Sequence, residues 1–252
     1  MINLIRSEFI KFRSVRSTLL VLGAGGALVI LVAILQAVQI NADADHIRAG
    51  AVSQTLGDLT GGVSVALFLF GALGVQVIGQ EYRFNTIRTT FAAAPIRWRV
   101  LVAKLMVVTL AVAAVSLAMM GVCAAIGAAM LPRFTVDGLD QRVVLGTVLF
   151  GMGWAAMGLG VGAIVRQPVA GILILLGEAL VAENIIVNLF HSSAPWLPFQ
   201  NGYQMTLRHS GGDGSGGQAI VFRSVLGGGI YFFIITAIVL GIGLYLANRR
   251  DA

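Results

Sequence analysis

A chain of 252 residues that is 58% hydrophobic and only 11% charged cannot be a soluble globular domain, which carries about 25% charged residues. With a mean hydropathy of +0.90 it reads as an integral membrane protein. The net charge of +6 resembles a nucleic-acid cue, but the basic residues, 15 of them Arg, lie at the ends of apolar runs, where membrane topology accounts for them and no nucleic acid is called for.

Residues 1–16 form a predicted amphipathic helix. Ile2, Ile5, Phe9 and Phe12 share one face, with Arg6, Glu8, Lys11 and Arg13 elsewhere, a pattern that lies in the membrane interface. A disordered basic leader that only sets topology is the alternative. The first apolar run, 17–40, has 24 uncharged residues. A signal h-region has about 7–15, so the run is expected to be retained.

Six runs are long enough to cross a hydrocarbon core, which takes about 20 apolar residues. They cover 17–40, 59–80, 105–132, 143–165, 169–190 and 225–247. Backbone groups cannot stay unpaired in lipid, so the runs are helices, and their unbroken apolarity excludes barrel strands. Placing both termini in the cytoplasm puts 12 basic residues inside and five outside, which predicts N-in, C-in. The inner loops are unequal and no internal repeat is visible, which argues against two similar halves.

Between the second and third runs lies 80–104, QEYRFNTIRTTFAAAPIRWRVLVAK, with five of the 17 basic residues. Phe84, Ile87, Phe91 and Ala94 fall at helical spacing and predict one apolar stripe, with Arg88 on another face. Asn85 is placed to cap the start, and Pro95 stops the helix. The segment is either a basic loop against anionic headgroups or a docking helix for a soluble partner.

In the fourth run, Gly158 and Gly162 make a small-xxx-small pair, expected to bring helices close within the bundle, with a dimer contact as the alternative. Cys123 lies within an apolar run and reads as a small core residue; one cysteine builds neither a disulfide framework nor a Cys-based metal site within one chain.

Glu178 and Glu183 are the only formal charges inside a predicted span. A carboxylate at that depth costs on the order of 3 kcal/mol, so each must face protein or water, or be protonated. Five residues apart on an α-helix they diverge by about 140°, and one pathway using both needs an unwound turn or water between them. With Asn184 they are candidates for a translocation path; a structural polar cluster and a proton-transfer pair are the other readings. The stretch 191–200 follows, where Pro195 and Pro198 forbid a continuous helix and Trp196 and Phe199 read as interfacial anchors. A re-entrant hairpin or a plain loop fits.

The run from Gly214 to Gln218, GSGGQ, resembles an ATPase signature loop but lies in a Gly/Ser-rich outer tract, and the chain has no GxxxxGK[ST] phosphate loop. HExxH, CxxC and GxSxG patterns are also absent, and His46, His191 and His209 are scattered over outer loops. No catalytic or metal-ligating residue is assigned.

The segment 80–104, with Glu81-Tyr82-Arg83 leading into Asn85-Thr86-Ile87-Arg88, the opening Ser7-Glu8-Phe9 with Lys11, and Glu183-Asn184 followed by Trp196 to Phe199 together resemble the ABC-2-type transporter permeases. The resemblance implies a coupling helix over about 83–94, with Arg83, Phe84, Ile87, Arg88 and Phe91 as its residues. It further implies short re-entrant helices before the sixth span, and an assembly of two permeases, identical or homologous, with two ATPase subunits that hold ATP and magnesium. The expected whole is an all-α membrane protein of a bacterial cytoplasmic membrane. Its parts are an interface helix over 1–16 and a single six-helix domain over 17–252, exporting a drug, peptide, lipid or glycan. A proton-coupled secondary transporter using Glu178 and Glu183, and a non-transporting scaffold or immunity protein, are the competing readings.

Overall fold

A computed structural model describes residues 2–44, 54–60, 63–87, 97–131, 134–207 and 224–250. The chain opens with α1 (Ile2–Ser14) and turns at once into α2 (Arg16–Ala44). There follow α3 (Val63–Arg83), α4 (Arg97–Met130), α5 (Gly138–Val165) and α6, which spans Pro168–Leu189. A short helix α7 (Pro198–Tyr203) and the long α8 (Val225–Arg250) complete the order.

Among the described residues, five helices (α2, α4, α5, α6 and α8) are long and apolar enough to cross a membrane. The predicted second span is α3, whose 21 residues rise about 30 Å. The third predicted span starts earlier than its apolar run, at Arg97, so Arg99 and Lys104 are helical residues and not part of a loop.

The centre of the bundle is α5, flanked by α3, α4, α6 and α8. Its small residues explain the position. A Cβ on Gly158 would strike the Gly71 carbonyl oxygen of α3, and one on Gly74 would strike the Ala155 oxygen of α5. Gly162 meets Ile78 and Val75 of the same partner. The pair Gly158 and Gly162 thus serves helix packing within the chain, where close backbone approach replaces the hydrophobic drive that lipid removes. The core around α5 holds Phe70, Phe150, Trp154 and Phe232, all at most 1% exposed, and Cys123 is buried in it.

At one end of the bundle the loops are stapled. Gln54–Thr55 pairs in parallel with Phe134–Thr135. Asp137 caps α5, and Asp140, fully buried, accepts from the Asp137 and Gly57 amides at 3.1 and 3.2 Å. The other end gathers Arg6, Lys11, Arg13, Arg16, Arg83, Arg99, Arg166 and Arg249, and is called the basic end below.

The amphipathic helix is confirmed as a helix, but its predicted apolar stripe is split. Phe12 is buried while Ile2 and Phe9 are 82% and 52% exposed. The side of α1 that faces the bundle carries Glu8, only 4% exposed, for a reason found at the basic end.

Candidate coupling site and hairpin clamp

Four charges from three helices meet at the basic end. Lys104 of α4 reaches Glu8 Oε2 of α1 at 2.5 Å and Glu81 Oε1 of α3 at 2.8 Å. Lys11 of α1 closes the ring, at 2.8 Å to Glu8 Oε1 and 3.3 Å to the same Glu81 oxygen. The Lys104 side chain is 2% exposed and Glu8 4%, so this is a buried network and not a surface pair. Glu81 Oε2 is enclosed without a hydrogen-bond partner. Burial pulls the Lys11 ammonium down, but its bonds to Glu8 and the charges of Glu81 and Glu8 outweigh that and hold its pKa above the ordinary 10.5.

The ring stands at the root of the segment 83–94. Glu81 sits two residues before it in the chain, and Lys104 lies on the helix that follows it. Of the predicted coupling residues, Arg83 ends α3 with its guanidinium 5.5 Å from the Phe84 ring centroid, and Phe84 is 66% exposed. Ile87 is 5% exposed and packs with Val100, Leu4 and Tyr82. The expected stripe of Phe84 and Ile87 on one face is therefore corrected. Asn85 turns the chain left-handed at φ 55°, so the two side chains diverge. For the same reason Asn85 does not have the extended backbone of an N-cap; its N–H donates back to Tyr82 O at 3.2 Å and closes the end of α3. Thr86 and Ile87 are helical. Arg88, Phe91 and the remainder of the predicted helix lie outside the described residues, as do GSGGQ, His46 and His209.

Sequence reading missed the ring, though its signal was present. Glu81 directly ends one apolar run and Lys104 directly precedes the next, while Glu8 and Lys11 stand three apart on α1. Opposite charges at adjoining ends of consecutive spans are placed to meet.

The second site lies towards the stapled end. Residues Glu178–Ala182 form a π turn, and the Glu183 N–H donates to Glu178 O, five residues back. That extra residue brings Glu183 round towards Glu178, and the two carboxyls lie beside each other. The expected divergence of the two carboxyls is overturned, and by the unwound turn that a joint role required. Asn184 donates its Nδ2 to the Ala179 and Leu180 oxygens at 3.2 and 3.0 Å.

Both oxygens of Glu183 are then taken by the hairpin. The backbone amides of Phe199 and Gln200 donate to Oε1 and Oε2, each at 2.8 Å, and Gln200 Nε2 donates to Asn184 Oδ1 at 3.3 Å. Pro198 is the first residue of α7, so these two amides are among the orphan donors of its first turn, and Glu183 is their cap from another helix. Glu183 is 1% exposed and Glu178 half-buried.

The hairpin turns inward. Phe199, read from sequence as an interfacial anchor, is 5% exposed and sits in an aromatic cluster, 4.8 Å from Trp154, 5.1 Å from Phe68 and 5.4 Å from Phe150 between ring centroids. Trp154 and Phe150 lie near the middle of α5, roughly 20 Å along a helix from its start. Trp196, by contrast, stays 66% exposed as an anchor should. Asn201, fully buried, ties the turn by donating to Ala194 and Leu197 oxygens at 2.8 Å each.

The chain is thus a packed helical bundle with α1 and a charged ring at one end and an inward-folded hairpin towards the other. The chain belongs to the ABC-2 family transporter proteins, whose family pattern it matches over residues 4–190. That match runs from α1 to the end of α6, leaving the hairpin and α8 beyond it. No curated protein matches the chain. Family membership makes it a multi-pass membrane permease of an ABC transporter system, the kind of system that works with an ATPase partner.

Proposed function

We propose that the chain is the permease subunit of an ABC exporter, in which a separate ATPase subunit drives export of a drug, peptide, lipid or glycan. The basic end then faces the cytoplasm, six helices cross the membrane with α3 as the second, and two permeases, identical or homologous, frame the path. ATP and magnesium belong to the partner, and this chain carries no chemistry of its own.

The observation that carries this reading is the buried ring at the root of the segment 83–94. Lys104 bonds Glu8 and Glu81 at 2.5 and 2.8 Å, so α1, α3 and α4 share one rigid joint where a partner's push would arrive. A force on the segment is passed to two spans and the interface helix together instead of bending a loop. Glu183 supports the same reading. Its oxygens are both held by hairpin amides, which makes it an anchor for the outer hairpin and a poor member of a proton relay.

The test uses the exposed start of the segment, since Ile87 is part of the core. The tagged chain is purified from native membranes in mild detergent, as wild type and as Arg83→Glu/Phe84→Asp. Recovery of an ABC ATPase with wild type, and at least tenfold less with the variant at equal folded yield, is the expected result. Substrate movement by the purified chain in vesicles without ATP would overturn it.

A further inference from the structure

The helix α4 is longer than a crossing requires. Its 34 residues rise about 51 Å, and about 48 Å when tilted by about 20°. A bilayer with its headgroups is about 40–45 Å thick, and its hydrocarbon core about 30 Å. The stretch from Leu105 to Met130 has no charged residue and, at about 39 Å, covers that core by itself. The two turns before it therefore project at the basic end. Trp98 stands about 9 Å further out along the helix than Lys104 of the ring.

The projecting turn carries contact chemistry. Trp98 is 48% exposed, and the Arg99 guanidinium lies 5.7 Å from its ring centroid. The end of α3 repeats the arrangement with Arg83 and Phe84. Ile87 packs on Val100, so the two pairs stand at adjoining helix ends. Among the described residues neither Arg83 nor Arg99 belongs to an ion pair. An arginine over an aromatic face keeps the edge of its guanidinium for carboxylates, and Trp and Arg are enriched among the residues that dominate protein contacts. Headgroups suit the same residue types, but the length of α4 carries these to the outer edge of that layer and past it. We propose that Trp98 and Arg99 are a second docking point for the ATPase subunit, beside Arg83 and Phe84, and that they fit an acidic groove with an apolar floor. This rests on the permease reading above and adds to it the first turn of α4. Trp98 and Lys104 belong to one helix, so a push there reaches the ring without passing through the segment 85–96.

A benzoylphenylalanine photo-crosslinker placed singly at Trp98, at Phe84 or at the exposed Leu117 within the apolar run of α4 tests this in native membranes. Adducts are read by peptide mass spectrometry, where an ABC ATPase is recognised by its GxxxxGK[ST] loop. Expected are adducts of Trp98 and Phe84 with one ATPase subunit, and of Leu117 with lipid only. Arg99→Glu, in chains that melt like wild type, should cut the Trp98 adduct at least fivefold. An ATPase adduct at Phe84 with only phospholipid at Trp98 would overturn the proposal and leave the permease reading standing. No ATPase adduct at either position would overturn both. A Trp98 adduct unchanged by Arg99→Glu would overturn the acidic groove.

Discussion

Replacing Lys104 by Met tests the ring most directly. The substitution preserves length and removes the buried one of the two cations that touch both carboxylates, leaving Glu8 and Glu81 bonded only to the half-exposed Lys11. Deleting one partner of a buried ion pair costs about 3–5 kcal/mol, because the carboxylates stay desolvated without their counter-charge. For a chain of this size that corresponds to a drop of roughly 6–20 °C in Tm. Neutralising all three, as Glu8→Gln/Glu81→Gln/Lys104→Met, should recover most of the loss, since a buried network replaced as a whole is often nearly neutral. The assay is thermal unfolding in detergent, paired with limited trypsin digestion. Arg6, Lys11 and Arg13 are cleavage sites on α1, and a helix released from its joint should be cut faster in the single variant than in the triple. If Lys104→Met melts with wild type and α1 is cut no faster, the ring holds nothing and the reasoning fails.

The hairpin and the bundle offer two further tests. Glu183→Ala strips the cap from the Phe199 and Gln200 amides, and a hydrogen bond contributes about 0.5–1.5 kcal/mol net each. Hydrogen exchange at those amides should quicken at least tenfold, with Glu183→Gln between; unchanged exchange would dismiss the clamp. Gly158→Leu should abolish a monodisperse peak on size-exclusion chromatography, because a side chain there meets the Gly71 backbone, while Gly121→Ala, with open space around it, should elute like wild type. Equal yields from both would show that the α3–α5 approach does not set the fold.

The long apolar helices were legible because a long apolar run in lipid has one solution, a helix whose own backbone satisfies itself. Gly158 and Gly162 were legible too, since small residues four apart mark a close helix face. Legibility failed where tertiary partners decide. Glu8 looked like a polar-face residue of an interface helix until Lys104, distant in sequence, turned that face inward. Phe199 had the composition of an anchor, and only the space among Phe68, Phe150 and Trp154 made it a core residue. The apolar stripe through Phe84 and Ile87 assumed one helix, and the left-handed Asn85 breaks that assumption in a way periodicity does not register. The family resemblance foresaw the short helices before α8, but not the carboxylate that tethers them or the ring at the root of the segment 83–94.

The π turn in α6 is one residue more than the helix needs, and its effect is a change of address. Below Glu178 the helix presents one set of faces to the bundle, as with Gly171 against Val75 of α3. Above Ala182 every side chain is rotated by the extra residue, which is about 100° in an α-helix. Glu183, Asn184 and Val187 thereby face the hairpin instead of following the lower register. Two half-helices with independent phases are thus joined without a break in the chain. Removing any single residue between them would realign the phases and turn Glu183 away from the amides it holds, though no contact residue had been changed.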